Sequence, residues 1–298
     1  MIIQKVGKVC DEIYLLGRKE SNVYLVDGKG EMAIIGGGMI YIAPDVISQI
    51  DELNIDPKKI KKAVILHSHF DHVGILPYLR KKWPWLEIIG SQRAKELLSK
   101  QKVIESIQFM NQIVLEKENM KERAQKLGLD FPALHVDTVV KEGDIIDVGD
   151  LKLSVLEVPG HSSCSIALYE PELKALFASD AGGIPMKKEV FTAANSNFDK
   201  YMESLKKMSK LDIEIHLAEH FGARDGEDAK KFLEKSMESA KKTRKILEEI
   251  YREKKDINAA TEKATELIME KMDEEFLPRE VLFIVIGQML KYIAKQAG

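Results

Sequence analysis

The chain predicts an α/β fold, and three features carry that reading. Short apolar runs of strand length recur through the first two thirds of the sequence. Several of them open directly onto histidine or aspartate, and helical segments alternate with them and follow them. At 298 residues and 45% apolar content, the chain can bury one large α/β core with additions.

The first third reads as a strand meander, with residues 12–16, 22–26 and 32–35 separated by glycine-rich or charged turns. Residues 44–53 read as a helix, because Val46, Ile47, Ile50 and Leu53 recur at helical spacing behind Pro44. Residues 61–66 read as a buried strand that ends at His67. There the chain places four metal-ligand side chains in six residues, His67-Ser68-His69-Phe70-Asp71-His72. In an extended segment alternate side chains share a face, so His67, His69 and Asp71 are expected to project together and His72 elsewhere. Such a split suits two adjacent ions. A lone histidine on an apolar strand is usually core, but three histidines and an aspartate at this spacing are not.

Three more candidates follow further along. His161 succeeds the strand-like 151–158, Asp180 ends the apolar run 175–180, and His220 follows 213–219. Each sits at a strand end beside turn residues, where scaffolds of this kind present chemistry. Five of the seven histidines fall in this set, which a bland core does not explain. His135 and His216 read as surface or structural residues. Cys164 reads as a small buried hydrophobe and not as a ligand.

On these residues the sequence resembles the metallo-β-lactamase superfamily, over roughly residues 10–225. The resemblance implies an αββα four-layer sandwich. It also implies one metal held by His67, His69 and His161, a second held by Asp71, His72 and His220, and Asp180 bridging the two. Imidazole and carboxylate ligands without thiolate suit two divalent ions, iron or zinc, with manganese and cobalt within the same donor chemistry. Two such ions about 3.5–4 Å apart lower the pKa of a bridging water from near 16 to about 7, which provides a hydroxide nucleophile beside a Lewis acid. Asp71 and Asp180 are the candidate catalytic carboxylates, orienting that nucleophile and passing its proton on. Gly36-Gly37-Gly38 stands where the superfamily often carries an aspartate behind a ligand, so the glycine run is expected to loosen that ligand. It lacks the spacing of a phosphate cradle.

Two additions surround this core. Residues 91–130 form a helical insertion with Val103, Ile107, Met110 and Val114 on one stripe. The charge-rich 116–123 segment reads as a solvated helix face. Residues 226–298 form a helical C-terminal extension of about three helices packed on the 1–225 catalytic domain. Breaks are expected near Asp256-Ile257-Asn258 and Phe276-Leu277-Pro278. The run 281–290 is apolar nearly all round. It must be buried against the sandwich, against the insertion, or across a homodimer interface. Either of the first two placements would wall a pocket with aliphatic side chains.

Within the superfamily, the 73–79 segment, the glycine run and Glu275-Phe276-Leu277-Pro278 are similar to a PqsE-like thioesterase group active in quinolone signalling. This implies an acyl thioesterase with extra helices over its pocket. Neither residues 181–184 nor the last helix offers an obvious polar group for a polar aromatic acyl chain, so the quinolone-pathway substrate is not expected here.

The expected substrate is a small-molecule acyl thioester or ester. A lactonase or glyoxalase-II-like hydrolase is chemically almost the same. A regulatory binding protein with incidental hydrolysis is the non-enzymatic alternative. Di-iron oxygen or nitric-oxide reductases usually carry glutamate at the position of His69 and append a flavodoxin domain, and neither is seen. A net charge of −3 gives no nucleic-acid footprint. No apolar run reaches membrane-spanning length. Two cysteines and an N-terminus without a secretory h-region fit a cytoplasmic location.

Overall fold

The strands of the first half are apolar on both faces, so their sheet must be covered on both sides. In Ser21–Asp27, Val23 and Leu25 turn one way while Tyr24 and Val26 turn the other. The same alternation separates Met32 and Ile34 from Ala33 and Ile35, and Ala63 and Ile65 from Val64 and Leu66. The first set of each packs against outer helices, among them Ala43–Glu52. The second set meets Leu153, Val155, Leu168, Phe177 and Leu217 of a second sheet. That second sheet buries Leu176, Ala167 and Val158 under the C-terminal helices on its far side. The result is helix, sheet, sheet, helix.

The computed structural model describes residues 1–186, 189–271 and 277–297. Each of the two large sheets has seven strands. From edge to edge the first is Gly7–Lys8, Ile13–Arg18, Ser21–Asp27, Met32–Ile35, Ile60–Val64, Glu87–Ser91 and Thr138–Val140. Its last four strands run parallel. The second sheet is Ile2–Ile3, Ala223–Asp225, Ile215–Leu217, Ala175–Phe177, Ile166–Glu170, Leu151–Glu157 and Ile145–Val148. It is antiparallel except where Ala175–Phe177 meets Ile215–Leu217.

The strand expected to end at His67 stops at Val64, although Ile65 still donates from its backbone to Ile89. The chain stays extended to His69 and then winds into a 3-10 turn at Phe70–His72. His67 and His69 therefore share a side as expected. Asp71 does not join them, because the turn swings it with His72 toward a different group.

The insertion contains Gln92–Leu98, Gln101–Lys117 and Lys121–Leu127, the first capped by the Ser91 hydroxyl accepting from the Ala94 N–H. Beyond the sandwich lie Gly226–Lys230, Phe232–Lys254, Ile257–Lys271 and Arg279–Ala297, one short helix more than expected. Lys255, at φ 52°, ends the long helix, and the Asp256 side chain accepts from the Ala259 N–H to start the next. Phe276 and Glu275 of the second expected break lie outside the described residues. Leu282, Ile286, Met289 and Leu290 of the last helix bury themselves on the second sheet's helical layer. None of the described helices is long and apolar enough to cross a membrane.

His216 is fully buried on Ile215–Leu217 and stacks on Phe232 with ring centroids 4.2 Å apart. Neither ring nitrogen has a hydrogen-bond partner. Burial, reinforced by the Arg224 cation, lowers its pKa from 6.5 to about 3. Below pH 6.5 the unfolded chain therefore takes up a proton that the folded chain refuses. Stability from this residue is present above 6.5 and declines as pH falls toward about 3. His216→Gln should flatten the fall of the urea-unfolding midpoint between pH 6.5 and 4 by one proton's worth of slope. An unchanged slope would refute the assignment.

Candidate metal centre

All seven residues singled out from the sequence converge where the strand ends of both sheets meet. Each arrives on irregular backbone, which a strand terminus allows and a strand interior does not. Gly160, at φ 132°, lets the 158–161 turn pass over Tyr201, since a Cβ there would lie 2.2 Å from the Tyr201 nitrogen. Ser179 at φ 48° and Phe221 at φ 58° adopt left-handed backbone beside Asp180 and His220. That conformation is uncommon for non-glycine residues and here turns the chain sharply at each strand end.

Among the described residues three groups of ligand atoms result: two match the expected pair of sites, and the third, His67, His72 and Glu219, overlaps both. In the first, His161 Nε2 lies 3.0 Å from His67 Nε2 and 2.9 Å from His69 Nδ1. In the second, His220 Nε2 lies 3.2 Å from His72 Nε2, and Asp71 Oδ2 is 3.6 Å from both. Asp180 reaches across the gap. Its Oδ2 stands 3.2 Å from His72 Nε2 and 3.7 Å from His161 Nε2, and its Oδ1 stands 3.6 Å from His220 Nε2. His67, His72, His161, Asp180 and His220 are each no more than 4% exposed.

The tautomers are set from behind. His161 Nδ1 donates to the Ala193 carbonyl and His220 Nδ1 to the Glu20 carbonyl, both at 2.7 Å. Each Nε2 lone pair then faces inward, as a metal ligand requires. Burial and the neighbouring imidazoles push His67 well below the ordinary histidine range. Burial and His72 take His69 to about 4, and burial and His69 take His161 to about 3. These three are neutral at pH 7. Burial opposes charge on His72 too, but Glu219, Asp180 and Asp71 outweigh it and raise its pKa. Burial would raise the Asp180 carboxyl, yet His72, His220 and His161 hold it well below its usual range.

A divalent cation fits this donor set. Inward lone pairs about 3 Å apart repel each other unless something positive lies between them. Nitrogens bound at ~2.05 Å in a tetrahedral site are separated by about 3.3 Å. With Asp180 between them, the two groups offer five imidazoles, two carboxylates and no thiolate.

A cavity of about 500 Å³ opens onto His69, Asp71, His161 and Asp180. One wall is Leu97, Val103, Ile107 and Met110 from the insertion, and another is Leu277 with Val281, Ile284 and Val285 of the last helix. Ile184 and Phe191 complete the apolar lining. Lys102, Ser106, Ser163 and Ser196 also line it, and sequence reasoning singled out none of these nor two further polar groups. Gln288 does line the cavity from the last helix. Asn195, 8% exposed, presents a side-chain oxygen with no partner. Only their place on irregular or apolar segments hid them. Glu219, adjacent to His220 and buried, was missed as well. His135 is exposed and apart from the centre. Cys164 is buried among the Ser68 and Ser162 hydroxyls and belongs to none of the ligand groups.

Fold and site together define a metallo-hydrolase architecture, and the comparison with known families agrees. Residues 16–220 match the Metallo-beta-lactamase superfamily, and the chain belongs to it. Among curated proteins, the Acyl-coenzyme A thioesterase MBLAC2 of Gallus gallus is 28% identical over 165 residues, covering 54% of this chain and 57% of that protein. Hydroxyacylglutathione hydrolase of Legionella pneumophila (strain Paris) is 24% identical over 121 residues, covering 41% of this chain and 33% of that one. The chain thus spans little more than half the length of the thioesterase it matches. Among solved structures, a metallo-beta-lactamase family protein from Thermus thermophilus superposes with a TM-score of 0.70 at 17% identity. That match covers 97% of this chain and 95% of that one. A flavo di-iron protein mutant from Thermotoga maritima shares the fold at a TM-score of 0.59 and 21% identity, over 81% of this chain and 63% of that one.

Metal analysis of native protein is expected to find about two equivalents of iron, zinc or manganese per chain, one for each of the expected pair of sites. Asp180→Ala should lower the retention of both ions because its oxygens reach both groups. His135→Ala should leave the content unchanged. A folded chain that retains no ion after purification in metal-containing buffer would sink this assignment.

Proposed function

We propose that the protein is a binuclear metal-dependent hydrolase that cleaves a thioester or ester with an apolar acyl chain, most simply an acyl thioesterase. His67, His69 and His161 would hold one ion, and Asp71, His72 and His220 the other, with Asp180 between them. The observation that carries the reading is the aliphatic cavity that ends on those residues. Ions held there would supply a water acidic enough to react near pH 7 and a Lewis acid for the acyl carbonyl.

The chain's own groups do the rest. The insertion and the last helix enclose the acyl chain and exclude bulk water, which strengthens every charge interaction at the centre. Asn195, with an unpartnered buried oxygen, is placed at the cavity wall to orient a polar part of the substrate. Asp71 accepts the proton that the attacking water loses and returns it to the departing sulfur or oxygen. The C–S or C–O bond breaks as the new C–O bond forms, giving a carboxylic acid and a thiol or alcohol. The names of the similar thioesterase and hydroxyacylglutathione hydrolase point to thioester chemistry as well. Lactones present the same carbonyl, and a lactonase is the second reading because the cavity admits a ring as readily as a chain.

Acyl-CoAs, S-acyl glutathiones and acyl lactones should be assayed on protein of measured metal content. Hydrolysis of a medium or long acyl thioester, with kcat/KM rising with chain length, is the expected result. Val281→Trp should erase that rise by filling the cavity while sparing short substrates. Asp71→Asn should lower kcat by about 10²–10⁴-fold, the usual contribution of a positioned acid–base group. Nearly full kcat in that variant at normal metal content would rule out the proton-transfer role.

A further inference from the structure

Behind the metal centre, on the side away from the cavity, one carboxylate meets both halves of the site. Glu219 is 2% exposed. Its Oε2 lies 3.0 Å from His72 Nδ1, which has no other partner. The N–H is not aligned as a hydrogen bond, so this is a charge contact. The same oxygen accepts a short hydrogen bond from the Ser179 hydroxyl. With its own proton committed there, Ser179 Oγ can accept from His67 Nδ1, 3.2 Å away. His67 belongs to one ion group and His72 to the other. Their rings are only 4.0 Å apart between centroids.

The space for this carboxylate comes from Gly36. A Cβ on residue 36 would lie 2.0 Å from Glu219 Oε1, closer than any side chain can sit, and its φ of 84° suits glycine. A carboxylate at 36 and one at 219 exclude each other. The glycine run that the sequence marks as a missing ligand support is thus the room into which another support reaches.

We infer that Glu219 is the positioning residue of the metal centre. Its charge holds the His72 proton on Nδ1 directly and its hydrogen bond with Ser179 orients His67, so that one buried carboxylate serves both ions. This rests on the binuclear reading above. The left-handed backbone of Ser179, φ 48°, aims its hydroxyl between the two partners, and Gly36 is the residue that leaves Glu219 room.

The test is Zn(II) binding to the full chain, read by chelator competition in wild type, Glu219→Gln, Glu219→Ala and Ser179→Ala, with the thermal midpoint of each metal-free protein beside it. Outer ligand supports of this kind typically contribute about 10–100-fold in metal affinity. Glu219→Ala should weaken both ions by about that factor. Glu219→Gln, which keeps shape and an acceptor oxygen, should recover part of the loss and remains readable if the alanine variant does not fold. Ser179→Ala should weaken one ion only. Gly36→Ala should harm wild type more than the Glu219→Ala background, because the clash is then gone. Wild type that holds two ions while Glu219→Ala holds both as tightly would overturn the inference alone. A third ion lost on Glu219→Ala would overturn it differently, making Glu219 a ligand. Wild type that holds no ion would remove the binuclear reading and this inference with it.

Discussion

The constraint on which the structure turns is the burial of many charge-bearing groups at one point. Two aspartates, a glutamate and five imidazoles lie within or directly behind one small volume, nearly all of them inaccessible to water. Taking a single carboxylate out of water costs several kcal/mol even after relaxation. Such a cluster survives only if each group is matched by an opposite charge or a fixed donor. The outward-facing nitrogens are matched: His161 by Ala193, His220 by Glu20, His67 by Ser179, His72 by Glu219. The inward-facing lone pairs are not matched by any protein donor, and divalent cations are the simplest remedy. Binding free energy for the ions is then in part folding free energy for this corner of the sandwich.

The architecture follows from needing strand ends in one place. Parallel strands Met32–Ile35, Ile60–Val64 and Glu87–Ser91 discharge their ends on one edge, and the second sheet's Ala175–Phe177 and Ile215–Leu217 run parallel to each other and deliver Asp180 and His220. The shared inner core of Tyr24, Val64, Leu66, Leu153, Leu168 and Phe177 locks the sheets together. A cavity-forming change there would misplace ligands on both sheets at once, because interiors are packed too closely to absorb it locally. Rigid scaffold and irregular termini divide the labour: the strands fix where each ligand sits, and the left-handed turns at Ser179 and Phe221 fix where it points.

Much of this was legible in the sequence, and the failures have definite causes. The convergence of the seven candidate residues was legible because histidine in this density has no packing use, and His161, Asp180 and His220 each follow a strand-like run. The layered fold was legible from the superfamily resemblance, and the alternation of strand-length apolar runs with helical segments agreed with it. The placement of Asp71 was misread, since alternation holds only while the chain stays extended and the 3-10 turn at Phe70–His72 carries no distinctive residue. Glu219 was hidden because a glutamate beside a histidine reads as surface charge. Its burial depends on Gly36, which lies 183 positions away in sequence and pairs with it only in three dimensions. Gln288 was hidden by the apolar run around it.

The added helices connect this centre to a choice of substrate. A metal centre alone hydrolyses whatever carbonyl reaches it, so selectivity must come from the walls. Here both walls are additions to the sandwich: the insertion contributes Val103, Ile107 and Met110, and the last helix contributes Val281, Ile284 and Val285. That helix is held from its other side by Leu282, Ile286 and Met289 in the outer core. Val281 on its cavity side also packs into the first core, so the helix is gripped from both sides. Each methylene of an acyl chain buried between such walls contributes about 0.8 kcal/mol, so three or four carbons are worth roughly a hundredfold in binding. An aliphatic slot of this kind discriminates by length and bulk.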